Sequence, residues 1–132
     1  MSKKGVLHHV EIYASDLEKS IEFWSWFLSK LGYELYQEWN EGKSFKLNDT
    51  YIVFVQVEEK HLDTPYHRCK AGLNHLAFYA ESQEQVDKIT NQLREKKIKI
   101  LYENKHPYAG GKNHYAVYFE DPERIKVELV AP

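Results

Sequence analysis

The chain has 132 residues, 42% of them apolar, and a formal net charge of −2. That is enough apolar surface for a hydrophobic core, and it gives no bulk positive field of the kind that draws nucleic acid. Cys69 is the single cysteine, which excludes an intrachain disulfide framework and a cysteine-based zinc site. The lysines near Met1 have no apolar run behind them and no window approaches the roughly 18 apolar residues of a membrane helix, so the expectation is a cytoplasmic protein without a signal peptide.

In chain order the first predicted element is a strand from Val6 to Tyr13, bounded by Gly5 and by Ala14, Ser15 and Asp16. Asp16 is a suitable N-cap for a helix whose apolar stripe is Leu17, Ile21, Trp24, Phe27, Leu28 and Leu31, and Gly32 closes that helix at C′. Three strands follow, Glu34 to Trp39, Lys43 to Leu47 and Tyr51 to Val57, with turns at Asn40–Gly42 and at Asn48 and Asp49. A polar linker containing Pro65 runs from about Glu58 to Gly72.

The pattern then starts again. His9, Val10, Glu11, Ile12, Tyr13 and Ala14 align with His75, Leu76, Ala77, Phe78, Tyr79 and Ala80 at an offset of 66, which Lys30 and Lys96 also keep, as do Leu35 and Tyr36 with Leu101 and Tyr102. A strand from Leu73 to Tyr79 leads into a capping box, Ser82 with Gln85, and a helix with the stripe Val86, Ile89 and Leu93. Strands near Lys99–Tyr102, Tyr115–Glu120 and Ile125–Val130 complete the second half, the last two joined by a turn at Asp121 and Pro122. The predicted fold is α+β: two βαβββ modules, about 5–58 and 72–131, joined by a linker of about 59–71 and forming one domain over 1–132.

Strand alternation sorts the polar side chains by face. Val6, Val10 and Ile12 should lie under the helix, which turns His9, Glu11 and Tyr13 to the open side; Leu76, Phe78 and Ala80 do the same for His75 and Tyr79. In the last strand Ile125, Val127 and Leu129 leave Glu128 on the open side. Two imidazoles and a carboxylate suit a divalent transition metal such as Zn, Ni, Mn or Fe. Gln56 is read as the first-half position corresponding to Glu128, and so as a fourth candidate donor. His8 alternates onto the apolar face, where a buried structural role is expected; a one-residue slip in register would make it the ligand instead. Glu11 is a candidate general base beside His9, Tyr13 and Tyr79 are candidate hydrogen-bond donors to a substrate, and Trp39 and Phe54 are candidate apolar walls. Packing is the competing role for each aromatic. The glycines of His106–His114 would permit a mobile lid, or simply an exposed loop.

His9 followed by Asp16 and Leu17 to Phe23, then Gly72 to Phe78, then Phe119 to Leu129 with Asp121 and Pro122 at the turn, together resemble the vicinal oxygen chelate superfamily of glyoxalases, bleomycin-resistance proteins, fosfomycin-resistance enzymes and extradiol dioxygenases. The resemblance implies a cupped eight-stranded sheet with helices on its outer side, and a metal held by His9, His75 and Glu128 that chelates neighbouring oxygens of a small substrate. It implies a metal-dependent lyase or isomerase, with Glu11 and Glu128 as catalytic candidates and a homodimer as the expected assembly. Two departures narrow it. Gln56 stands where a glyoxalase-type isomerase usually has Glu, and an amide cannot act as a carboxylate base. Only four residues follow Glu128, so the longer tail that helps hold phosphonate in fosfomycin-resistance enzymes is not expected. The alternatives are a metal-free drug- or metabolite-binding module of the bleomycin-resistance type and an Fe(II) ring-cleaving dioxygenase, most of which are larger.

Overall fold

The computed structural model describes residues 3–132. It divides into two compact units, one ending at Pro65 and the other spanning Tyr66–Pro132. No helix among the described residues is long and apolar enough to cross a membrane.

The first unit is built from β1 (His9–Ala14), α1 (Leu17–Lys30), β2 (Glu34–Trp39), β3 (Gly42–Leu47) and β4 (Thr50–Gln56). Its sheet runs in the order β1-β4-β3-β2, with β1 and β4 parallel and the remaining pairs antiparallel. A parallel pair needs a crossover, and α1 supplies it. Asp16 caps that helix, Oδ1 accepting from the Lys19 amide at 3.2 Å. Gly32, at φ 94°, ends it in the left-handed region, and the amide of Tyr33 returns to the Leu28 carbonyl at 3.0 Å. The apolar stripe buries Phe23, Trp24, Phe27 and Leu28. Trp24 stacks on Phe54 of the central strand at a centroid distance of 5.1 Å. Phe54, Ile52 and Gln56 alternate onto one face of β4, and the Trp24–Phe54 contact identifies it as the helix-covered face.

A short 3₁₀ turn at Glu59–His61 lies in the predicted linker. The second unit follows with β5 (His75–Tyr79), α2 (Gln83–Glu95), β6 (Ala116–Glu120) and β7 (Lys126–Val130). Its sheet has the order β5-β7-β6, again with a parallel pair, β5 and β7, bridged by a helix. Ser82 caps α2 by accepting from the Gln85 amide at 3.1 Å, and Gln85 Oε1 accepts from the amide of Glu81 at 2.7 Å. Val86, Ile89 and Leu93 are buried against a sheet whose Val117, Phe119, Val127 and Leu129 are fully enclosed. Asp121 builds the β6–β7 turn, its Oδ1 accepting from the amides of Glu123 at 2.9 Å and Ile125 at 2.7 Å.

The predicted two-module plan is present, with one element reduced. The strand expected over Lys99–Tyr102 is a single isolated bridge, Ile100 with Phe119. Tyr102 adopts φ 55°, which breaks the extended backbone after two residues, and turns continue to Asn113. The second unit therefore has three strands where the first has four.

Candidate metal centre

Register in the parallel pair of the second unit sets the site. Ala77 lies opposite Glu128, and Glu128 lies opposite Tyr118 on the other side. Directly opposed residues share a face, so Ala77, Glu128 and Tyr118 line up across three strands, with His75 two residues before Ala77 on the same side. The Glu128 side chain is only 6% exposed. A buried carboxylate needs several partners, and this one has three. Oε1 lies 3.1 Å from His75 Nε2, Oε2 meets His114 Nε2, and Tyr118 donates its phenolic hydroxyl to the carboxylate.

The His75 ring has a fixed polarity. Its Nδ1 lies 2.8 Å from Asn74 Oδ1. A side-chain carbonyl only accepts, so Nδ1 carries the proton. In the neutral imidazole the Nε2 lone pair then faces Glu128 Oε1, and two acceptors confront one another. The arrangement requires one positive unit between or on them, either a second imidazole proton or a cation. Two donors that each bind one ion at ~2.0–2.2 Å lie about 3–3.5 Å apart, which brackets the observed separation. His75 and Glu128 thus fit two positions on a divalent metal. Among the described residues no group of three or more His, Cys, Asp or Glu gathers into a metal-binding set, and His75 with Glu128 is a candidate pair of donors.

A cavity of about 490 Å³ opens beside the carboxylate. Ala77, Tyr79, His114, Glu128, Val130 and Ala131 are among its walls, which combine one anionic group and one imidazole with apolar and aromatic surface.

Burial and the neighbouring carboxylate push the Tyr118 phenol up to about 12. The unfolded phenol would ionise near 10, so the folded state holds its proton longer between these values. This contribution to stability is complete below pH 10 and is lost as pH rises through about 12. Denaturant unfolding should show the wild type losing more stability than Tyr118→Phe between pH 10 and 12; equal losses would count against the contact. Tyr115, hydrogen-bonded to Asp87, titrates in the same high range and is common to both proteins.

In the first unit His9, Glu11 and Tyr13 are exposed along one face of β1, as the alternation predicts. The His9 ring stacks on Tyr51 at 4.7 Å, and its Nδ1 lies 2.8 Å from Nδ1 of His8. His8 is exposed, not buried, since it lies just outside β1, which begins at His9. Gln56 is on the other side of the sheet. It pairs with Ala14, its Oε1 accepts from the Leu17 amide at 2.9 Å, and its Nε2 donates to the Ser15 carbonyl at 2.8 Å. Gln56 thus anchors the start of α1, and both ends of its amide are taken. The position matching Glu128 is Val53: Glu11 faces Val53 just as its repeat partner Ala77 faces Glu128. Phe54 is 1% exposed beneath Trp24 and belongs to the core rather than to a substrate wall. Trp39 is 42% exposed on the outer strand β2, where its ring lies over Gly42. Tyr79 lines the cavity and is 79% exposed.

Sequence reading missed Asn74, His114 and Tyr118. Tyr118 was accessible by pairing β6 with β7. Asn74 was visible as the residue before His75. His114 carried no such signal, since it lies in the irregular segment before β6, where alternation says nothing about direction.

With fold and site in place, the family is shown. The chain belongs to the Glyoxalase/Bleomycin resistance protein/Dioxygenase superfamily, whose model matches residues 6–129. It is 57% identical to protein YqjT of Bacillus subtilis over 126 residues, covering 96% of this chain and 98% of that protein. It is 29% identical over 123 residues to the metallothiol transferase FosB of Lysinibacillus sphaericus, covering 93% of this chain and 79% of that one. Its structure matches the crystal structure of a proposed glyoxalase from Bacillus halodurans with a TM-score of 0.97 and 58% identity, over 98% of each chain.

Proposed function

We propose that the protein is a cytoplasmic, divalent-metal-dependent enzyme of the glyoxalase type that acts on a small oxygenated molecule. One observation carries the metal half of this reading: His75 Nε2 lies 3.1 Å from a buried carboxylate oxygen, the spacing of two donors on one ion, with Asn74 fixing the ring. Membership of a superfamily whose relatives include a metallothiol transferase supports it. His75 and Glu128 would hold the ion. When bound, the metal would supply Lewis-acid stabilisation of negative charge on substrate oxygens.

The remaining work falls to the chain's own side chains. Asn74 fixes the His75 tautomer and ring direction. Tyr118 holds the carboxylate in place from β6. Tyr79 and Val130 give the cavity apolar surface for a small substrate. Gln56 provides no base, and Val53 leaves the corresponding position in the first unit without a carboxylate. A two-carboxylate proton relay built on those positions is therefore not available. Glu11, exposed on β1, is the proposed proton-transfer carboxylate. Homodimerisation, frequent in this superfamily, is part of the proposal.

Metal analysis of tag-free protein tests the reading. The wild type should take up Mn, Ni, Zn or Fe, and His75→Ala should lose that uptake while keeping its circular dichroism spectrum. A wild-type protein that is isolated metal-free and then binds none of the four would end the proposal.

A further inference from the structure

We infer that His114 is a positioning residue for the Glu128 carboxylate: it occupies Oε2 so that only Oε1 is offered to the metal beside His75. The inference rests on the metal reading above and extends it to a residue outside the donor set.

The two imidazoles on Glu128 play opposite parts. His75 has its Nδ1 proton committed to Asn74 and brings Nε2 to 3.1 Å from Oε1, the place where a metal would sit. His114 presents Nε2 to Oε2, and an ionised carboxylate only accepts, so His114 Nε2 is the donor. A carboxylate with both oxygens free can chelate one ion through both or swing between them. One with a charge-assisted hydrogen bond on its far oxygen is held as a one-oxygen ligand, and fewer protein donors leave more positions for substrate.

The loop around His114 is built for this contact. The His114 amide donates to the Gly111 carbonyl at 3.0 Å, which closes a tight turn. A Cβ on Gly110 would lie 2.4 Å from His114 Cδ2 and 2.7 Å from the Tyr118 hydroxyl. Gly110 therefore lets the backbone pass directly against two of the three groups that hold Glu128. The His114 side chain is 40% exposed and lines the same cavity as Glu128. Deleting it costs little core packing, so a change in metal binding can be separated from a change in folding.

The test is calorimetric titration of tag-free protein with zinc alone, together with ¹⁵N NMR of the imidazoles in the zinc-loaded wild type. His114→Ala should weaken zinc binding by about 10–100-fold, the usual effect of losing an outer partner of a metal ligand. His114→Gln, which keeps an N–H donor at similar reach, should recover most of that loss. Gly110→Ala, whose Cβ would meet both the His114 ring and the Tyr118 hydroxyl, should weaken binding in the same direction. The NMR spectrum should show the His114 proton on Nε2. Unchanged affinity in His114→Ala overturns the inference and leaves the metal reading standing. Weakening that Gln does not rescue also overturns it, since His114 would then be a ligand itself. A wild type that binds no zinc and none of the other three metals overturns the metal reading and this inference together.

Discussion

Glu128→Gln should yield a folded protein that fails to take up a divalent metal. The amide has nearly the shape of the carboxylate and still offers an oxygen, so β7 keeps its pairing with β5 and β6 and the fold survives. The negative charge is what disappears. It sits on a side chain just 6% exposed and faces His75 Nε2 at 3.1 Å. A neutral amide loses both the Coulombic attraction for a dication and the charge-assisted bonds to the surrounding donors. The loss in zinc affinity should exceed the roughly 100-fold upper range for outer partners of a ligand. Titration with zinc, alongside thermal unfolding of the metal-free protein, separates the two effects. Wild-type affinity in Glu128→Gln would remove Glu128 from the metal centre.

Trp24→Ala should destabilise the first unit by about 3–5 kcal/mol, the range for deleting a large buried aromatic. Trp24 is fully enclosed, meets Phe23 edge-on at 5.3 Å and stacks on Phe54 of the central strand. No neighbour is free to fill the space, since Phe27 and Leu28 are also fully enclosed. Urea unfolding followed by far-ultraviolet circular dichroism measures the loss, and a cost below about 1 kcal/mol would mean that the helix–sheet core is arranged differently. Because β4 also carries Gln56, which anchors the first turn of α1, loosening Phe54 should fray that turn as well.

What could be read from the residues follows the physics of each signal. Both helices were legible because a 3.6-residue apolar stripe, an N-cap and, for α1, a C′ glycine agreed with one another. The repeat identified the two-module plan, and alternation turned His9, His75 and Glu128 to the open faces correctly. Gln56 failed for a specific reason. It was matched to Glu128 through the general repeat, yet strand pairing places Val53 there, three residues away and therefore on the opposite face. The strand at Lys99–Tyr102 failed because the left-handed Tyr102 has no sequence signature that a β-favouring side chain does not mask. His114 was out of reach because its direction depends on the tight passage at Gly110, a tertiary contact rather than a local preference.

The pairing of Glu11 with Val53 and of Ala77 with Glu128 has a further consequence. Each half places a central parallel strand against its first strand in matching register, and each puts an acid on that register only once: on β1 in one half, on β7 in the other. The two copies have exchanged the acidic and the apolar member across the same pair of strands. A duplicated scaffold of this kind can relocate its anion from one strand to its neighbour without altering either backbone, so the chemistry of such a protein can drift while its architecture stays still.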